Sequence, residues 1–259
     1  MTEKETPTVE MPRPEPSARA LKGADAVDYH TRVDSHRQGS GLADVILGGQ
    51  DGLVNVLGVI LGVAAATSDT QIVLIAGLAA TVAESISMGA VAYTSTLAEA
   101  ALYESERERE YRHIVRVPHL EREEIYEIYR KKGFSDEVLE QVVDVITSDQ
   151  DTWVQVMMAE EHQLSPINRR HALRAALVVG ISAIIGSLIP LIPFMLLPVE
   201  ISILVSIAIS ALTLFVVGAY KARIMVGSPT RSGLEMAVIG TVSALAGYAV
   251  GLVLKVPAG

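Results

Sequence analysis

Five long apolar runs dominate the chain, at roughly 42–66, 71–98, 172–194, 197–219 and 234–255. Each is near the ~20 residues a helix needs to cross a bilayer, so the pattern predicts five transmembrane helices. Between the second and third runs the pattern turns polar over residues 99–170. Glu104-Ser-Glu-Arg-Glu-Arg-Glu-Tyr-Arg-His113 reads as a continuation of the second membrane helix, ended by Pro118. A helix over about 120–132 follows, with Gly133 at its C′ position. Ser135, followed by Asp136 and Glu137, reads as the next N-cap, and Ser148 with Asp151 as a capping-box-like start for a last helix to about 164. The fold class is therefore an all-α membrane protein. Residues 41–98 carry helices 1 and 2, residues 99–170 an inserted helical domain, and residues 171–256 helices 3 to 5.

Charge orients these spans. The connection Thr67-Ser-Asp-Thr-Gln71 and the one from Pro190 through Pro198 and Glu200 carry no Lys or Arg. Six basic residues precede position 40, eleven lie between Arg107 and Arg174, and Lys221, Arg223 and Arg231 follow. By the positive-inside rule the amino terminus, the insertion and the fourth connection are expected in the cytoplasm, and the carboxyl end outside. Residues 1–40, with prolines at 7, 12, 14 and 16, read as a disordered cytoplasmic tail in which His30 and Asp34 are solvated.

Composition narrows the function. The chain is 50% hydrophobic but only 5% aromatic, as suits tightly packed small-residue membrane helices. With no cysteine, thiolate metal sites, disulfides and Cys nucleophiles are excluded. A net charge of -9 without a basic stripe excludes a nucleic-acid partner. The expected role is transport rather than catalysis.

Asp51 lies inside the first apolar run and Glu84 inside the second. A carboxylate at bilayer depth costs at least ~3 kcal/mol, so these acids point to a cation or proton path. Asp51 and Asn55 are four apart and share a helix face, as do Glu84 and Met88. Gly48-x-x-x-Gly52 and Gly58-x-x-x-Gly62 give the first helix close-packing faces.

The insertion holds 17 of the 30 acidic residues. Glu110 and His113 share a helix face, Glu121 and Glu124 share another, and Met157, Met158 and Glu161 form an i, i+1, i+4 set on the last helix. Carboxylates with an imidazole and thioethers suit Fe²⁺ or Mn²⁺ better than Ca²⁺ or Mg²⁺. The competing reading is a solvated face, since Glu104-Arg107, Glu106-Arg109 and Glu108-Arg112 have salt-bridge spacing and the methionines, beside Trp153 and Val156, could be core filler.

Gly48-Gly-Gln-Asp-Gly-Leu-Val-Asn-Val-Leu-Gly-Val-Ile-Leu-Gly62 resembles the opening motif of the vacuolar iron transporter family, and Ser85-Ile-Ser-Met-Gly89 its second-helix motif. Trp153-Val-Gln-Val-Met-Met-Ala-Glu-Glu161 resembles its third cytoplasmic helix, and Ala175 to Pro193 its third span. The similarity covers about residues 41–256. It implies a five-helix fold that dimerises, with an ion path between protomers and export of Fe²⁺, and often Mn²⁺, from the cytosol in exchange for protons. It also implies path residues at Asp51 and Met88, and soluble-domain ligands at Glu110, Glu121, Glu124, Glu161, Met157 and Met158. No tightly bound cofactor is expected, only the transported ion. The membrane would be plasma or vacuolar according to the organism.

The chain departs from that pattern in three places. Ala80 stands where plant members have a path glutamate, with Glu84 one turn nearer the methionine; His113 replaces a carboxylate ligand; and Val91-Ala-Tyr93 lacks an acid. Exchange fits the energetics: moving two positive charges against 100 mV costs ~4.6 kcal/mol, which two inward protons would cancel. The alternatives are a membrane-anchored metal sensor or buffer, which has no need of Asp51, and a passive cation channel.

Overall fold

The structure, a computed structural model, describes residues 40–224 and 227–254, so the predicted amino-terminal tail, with His30 and Asp34, and Lys255 lie outside the described residues. Among the described residues, eight helices follow one another: α1 Ser40–Thr67, α2 Thr70–Arg116, α3 Pro118–Lys131, α4 Asp136–Thr147, α5 Gln150–Glu160, α6 Arg170–Leu196, α7 Val199–Ile224 and α8 Pro229–Val253. There is no strand among the described residues. Five helices (α1, α2, α6, α7 and α8) are long and apolar enough to cross a membrane. The chain is a multi-pass membrane protein.

The helix ends follow local chemistry. Asp69 caps α2, accepting from the Gln71 and Ile72 amides at 2.8 and 3.2 Å. Pro118 opens α3 at its first turn, where a missing N–H costs nothing. Gly133 takes φ +96, and the Phe134 amide returns to the Tyr129 carbonyl, as the predicted C′ position requires.

Other ends differ from the sequence expectation. α5 is capped by Asp149, which accepts from both the amide and the hydroxyl of Thr152 at 2.8 Å, and the Ser148 hydroxyl turns back to the Val145 carbonyl. A carboxylate competes better than a hydroxyl for an orphan amide, so the cap falls one residue later. α5 also stops at Glu160 rather than near 164. The amides of Glu161 and His162 both close on the Met157 carbonyl, and Gln163 takes φ 54. Nor do Pro190 and Pro193 form a connection: α6 runs through both to Leu196. Ser206 donates to the Pro190 carbonyl at 2.7 Å, and Ser202 to the Pro193 carbonyl at 3.0 Å. Buried serines on α7 thus hold the proline-bearing end of α6 in place.

Both glycine pairs of α1 are used within the protomer. A Cβ at Gly48 or Gly52 would run into the carbonyls of Val179 or Ala183 on α6, and Gly58 and Gly62 lie against Gly247 and Gly251 of α8. The small residues let backbones touch, but inside one chain, so they carry no argument for packing between two copies. Above the spans, the polar end of α2 packs with α3, α4 and α5 around Ile114, Ile125, Leu139, Val143, Trp153, Met157 and Met158. This bundle positions the acidic residues.

Candidate metal sites

Within the spans, Ser85 and Gly89 of α2 press against α6 near Gly180 and Ala176. Successive helix positions are ~100° apart, so Glu84 and Met88 flank that contact, and both are half-buried. Across from them, Asn55 of α1 donates its side-chain amide to Glu84 Oε1 at 3.0 Å. The Glu84 carboxyl also lies close enough to that of Asp51 for the two to interact. Asp51, Asn55 and Glu84 therefore form one polar group on two membrane-spanning helices. Asp51 is half-buried, while Asn55 is exposed on the protomer surface. An exposed amide at that depth cannot be matched by lipid tails.

The second group lies in the bundle. Glu110 is 2% exposed and Glu121 4%, though both are carboxyls. One oxygen of each, Oε2, is buried without a hydrogen-bond partner. Burial of an unmatched carboxylate oxygen is unfavourable unless a proton or cation meets it. Glu110 Oε1 lies 3.9 Å from His113 Nδ1, which is 3.3 Å from Glu121 Oε1. Donor atoms of Glu110, His113 and Glu121 all fall within 4.8 Å of one another, and so do those of Glu110, Glu161 and His162.

Burial, then the charges of Glu124, Glu110 and Glu161, push the Glu121 carboxyl up to about 7. Burial and the charge of Glu124 also raise that of Glu161. Like charges crowded out of water hold protons that a divalent cation can replace.

The predicted ligands are thus brought together unevenly. Glu110, His113, Glu121 and Glu161 converge; Glu124 is exposed but close enough for its charge to act on Glu121 and Glu161. Met157 and Met158 are fully buried in the apolar cluster. Farther back on α2, Arg107–Glu104 and Arg109–Glu106 form i, i+3 pairs at 3.6 and 2.9 Å. The sequence reading missed His162, whose Nε2 lies 3.1 Å from Glu110 Oε1. Its one sequence signal was adjacency to Glu161.

Fold and sites together define a polytopic helical membrane protein with ionisable groups both in its spans and in a carboxylate–imidazole cluster beyond them. The chain belongs to the VIT family, whose model matches residues 42–252. It is 32% identical over 231 residues to "Vacuolar iron transporter 1" of Arabidopsis thaliana, covering 88% of this chain and 92% of that protein. It is 32% identical over 237 residues to the protein of the same name from Tulipa gesneriana, covering 91% and 94%. Against "Vacuolar iron transporter" of Toxoplasma gondii it is 30% identical over 251 residues, covering 93% and 82%.

Proposed function

We propose that this protein moves divalent metal, Fe²⁺ and with it Mn²⁺, out of the cytosol in exchange for protons. The observation that carries the reading is the Asp51–Asn55–Glu84 group on membrane-spanning helices. A pair of carboxyls there can hold a proton or a metal ion but not both at once, which is the minimum an exchanger needs. Met88, one turn beyond Glu84, adds a thioether that favours Fe²⁺ over Mg²⁺.

A second copy of the chain would cover the exposed side of this group, so the ion path runs at the interface of a homodimer. The basic residues flanking the α2–α5 bundle support a cytoplasmic location for it. There Glu110, His113, Glu121, Glu124 and Glu161, with Met157 and Met158, collect metal at the mouth of the path.

The test is Fe²⁺ flux into proteoliposomes under an imposed proton gradient, with and without Asp51→Asn. Flux that needs the gradient and is lost in the variant is expected. Metal binding without flux in the wild type would instead make the protein an anchored metal sensor.

A further inference from the structure

We infer that His162 is a metal ligand, so that Glu110 is shared by two donor groups, one with His113 and Glu121 and one with Glu161 and His162. This rests on the reading of the bundle as a metal site. It adds a donor outside the expected ligand set.

The backbone places the ring there. α5 ends at Glu160, and both following amides fold onto the Met157 carbonyl, a turn completed by Gln163 at φ 54. This reversal brings His162 Nε2 to 3.1 Å from Glu110 Oε1 and 3.9 Å from Glu161 Oε2. Donors ~2.1 Å from a common metal and at right angles to one another stand ~3.0 Å apart. His162 and Glu110 therefore already hold the spacing of neighbouring ligands, and the ring need not move. The other oxygen of Glu110 is buried without a hydrogen-bond partner, so the carboxylate has a lone pair free for a cation. The His162 side chain is 23% exposed, so the ring borders both solvent and the buried carboxylates.

A second imidazole changes the preference of the site. Carboxylate-only sets suit Mg²⁺, Ca²⁺ and Mn²⁺, whereas imidazole favours Fe²⁺, Co²⁺ and Zn²⁺. His162 thus tilts the bundle site toward Fe²⁺ while Mn²⁺ still binds, more weakly.

The test uses the full chain in detergent with Co²⁺ or Mn²⁺ alone as the probe. In the Co²⁺-loaded wild type, proton NMR should show two strongly shifted ring N–H resonances, one from each coordinated histidine. His162→Gln should remove one of them and weaken Co²⁺ binding by on the order of 10- to 100-fold, with a smaller loss for Mn²⁺. If His162→Gln does not fold, as Trp153 fluorescence would report, His113→Gln decides the matter: one shifted resonance must remain. An unchanged resonance set and Co²⁺-to-Mn²⁺ ratio in His162→Gln, or no shifted resonance left in His113→Gln, would overturn the assignment and leave His162 as a hydrogen-bond partner of Glu110. Failure of wild-type Co²⁺ to perturb Trp153 or any histidine would overturn the bundle site itself.

Discussion

Glu121→Gln isolates what the carboxylate cluster does to the fold. In the wild type, burial and the charge of Glu124 push this carboxyl from 4.5 up to about 7. The folded bundle therefore holds the proton more tightly than the unfolded chain. The group's stabilising contribution is full below 4.5, declines as pH rises, and is lost above about 7. At 1.36 kcal/mol per pH unit, and allowing for screening through the 44%-exposed His113 side, the loss is ~2–3 kcal/mol. Glutamine keeps the volume but carries no charge, so the metal-free variant should not share this decline. Its advantage over the wild type should be absent at pH 4.5 and reach ~2–3 kcal/mol at pH 8.

Trp153, the chain's sole tryptophan, lies 6% exposed in the bundle core, so its fluorescence reports this region and not the spans. Urea unfolding followed at Trp153, with chelator present, gives the difference between the two proteins at each pH. Divalent metal at about 1,000 times the wild-type dissociation constant should reverse the order, because it stabilises the wild type by ~4.1 kcal/mol and Glu121→Gln lacks a charged donor. A difference that stays flat from pH 4.5 to 8 would refute the crowded-carboxylate argument.

Asp51→Asn should abolish proton-driven Fe²⁺ flux in proteoliposomes while leaving Trp153 unfolding and bundle metal binding unchanged; Glu84→Gln should reduce flux only in part, since Asn55 can still bond an amide oxygen. Cysteines at Gln71 and Ser135 should react with an impermeant reagent from opposite membrane faces; Gln71 is preferable to Ser68, which sits at φ 53. Gly186→Ala should destabilise the spans by ~1–3 kcal/mol, read as a lower thermal midpoint in detergent, because its Cβ would meet the Gly49 backbone.

Hydropathy made the five spans legible, since each needs only length and apolar composition. Gly133 and the break at Pro118 were legible because one residue type fits each place. The start of α5 was not: Ser148 and Asp149 both cap well in sequence, and only the geometry at Thr152 selects the second. His162 was hidden for a related reason. A reading that continued the helix to about 164 gave no reason to place His162 beside Glu110. The early stop at Glu160 and the left-handed Gln163 turn the ring into the cluster. The partners of the α1 glycines were likewise illegible, because small-residue spacing predicts close approach without naming the helix approached.

The same geometry bears on the displaced glutamate. Ala80 is four residues, one helical turn, before Glu84, so moving the acid along α2 shifts it ~6 Å without leaving the face. α1 runs antiparallel to α2, so the equivalent step on α1 runs back one turn to Asn55, the residue that bonds Glu84. The carboxyl at 84 keeps a polar partner on α1 and stays within reach of Asp51. The two acids and the amide then span little more than one turn, with Met88 near the level of Asp51. Because α1 and α2 run antiparallel and Asn55 meets Glu84, Asp51 lies one turn along toward Met88, so in the proposed path the thioether would stand beside the two acids rather than after them.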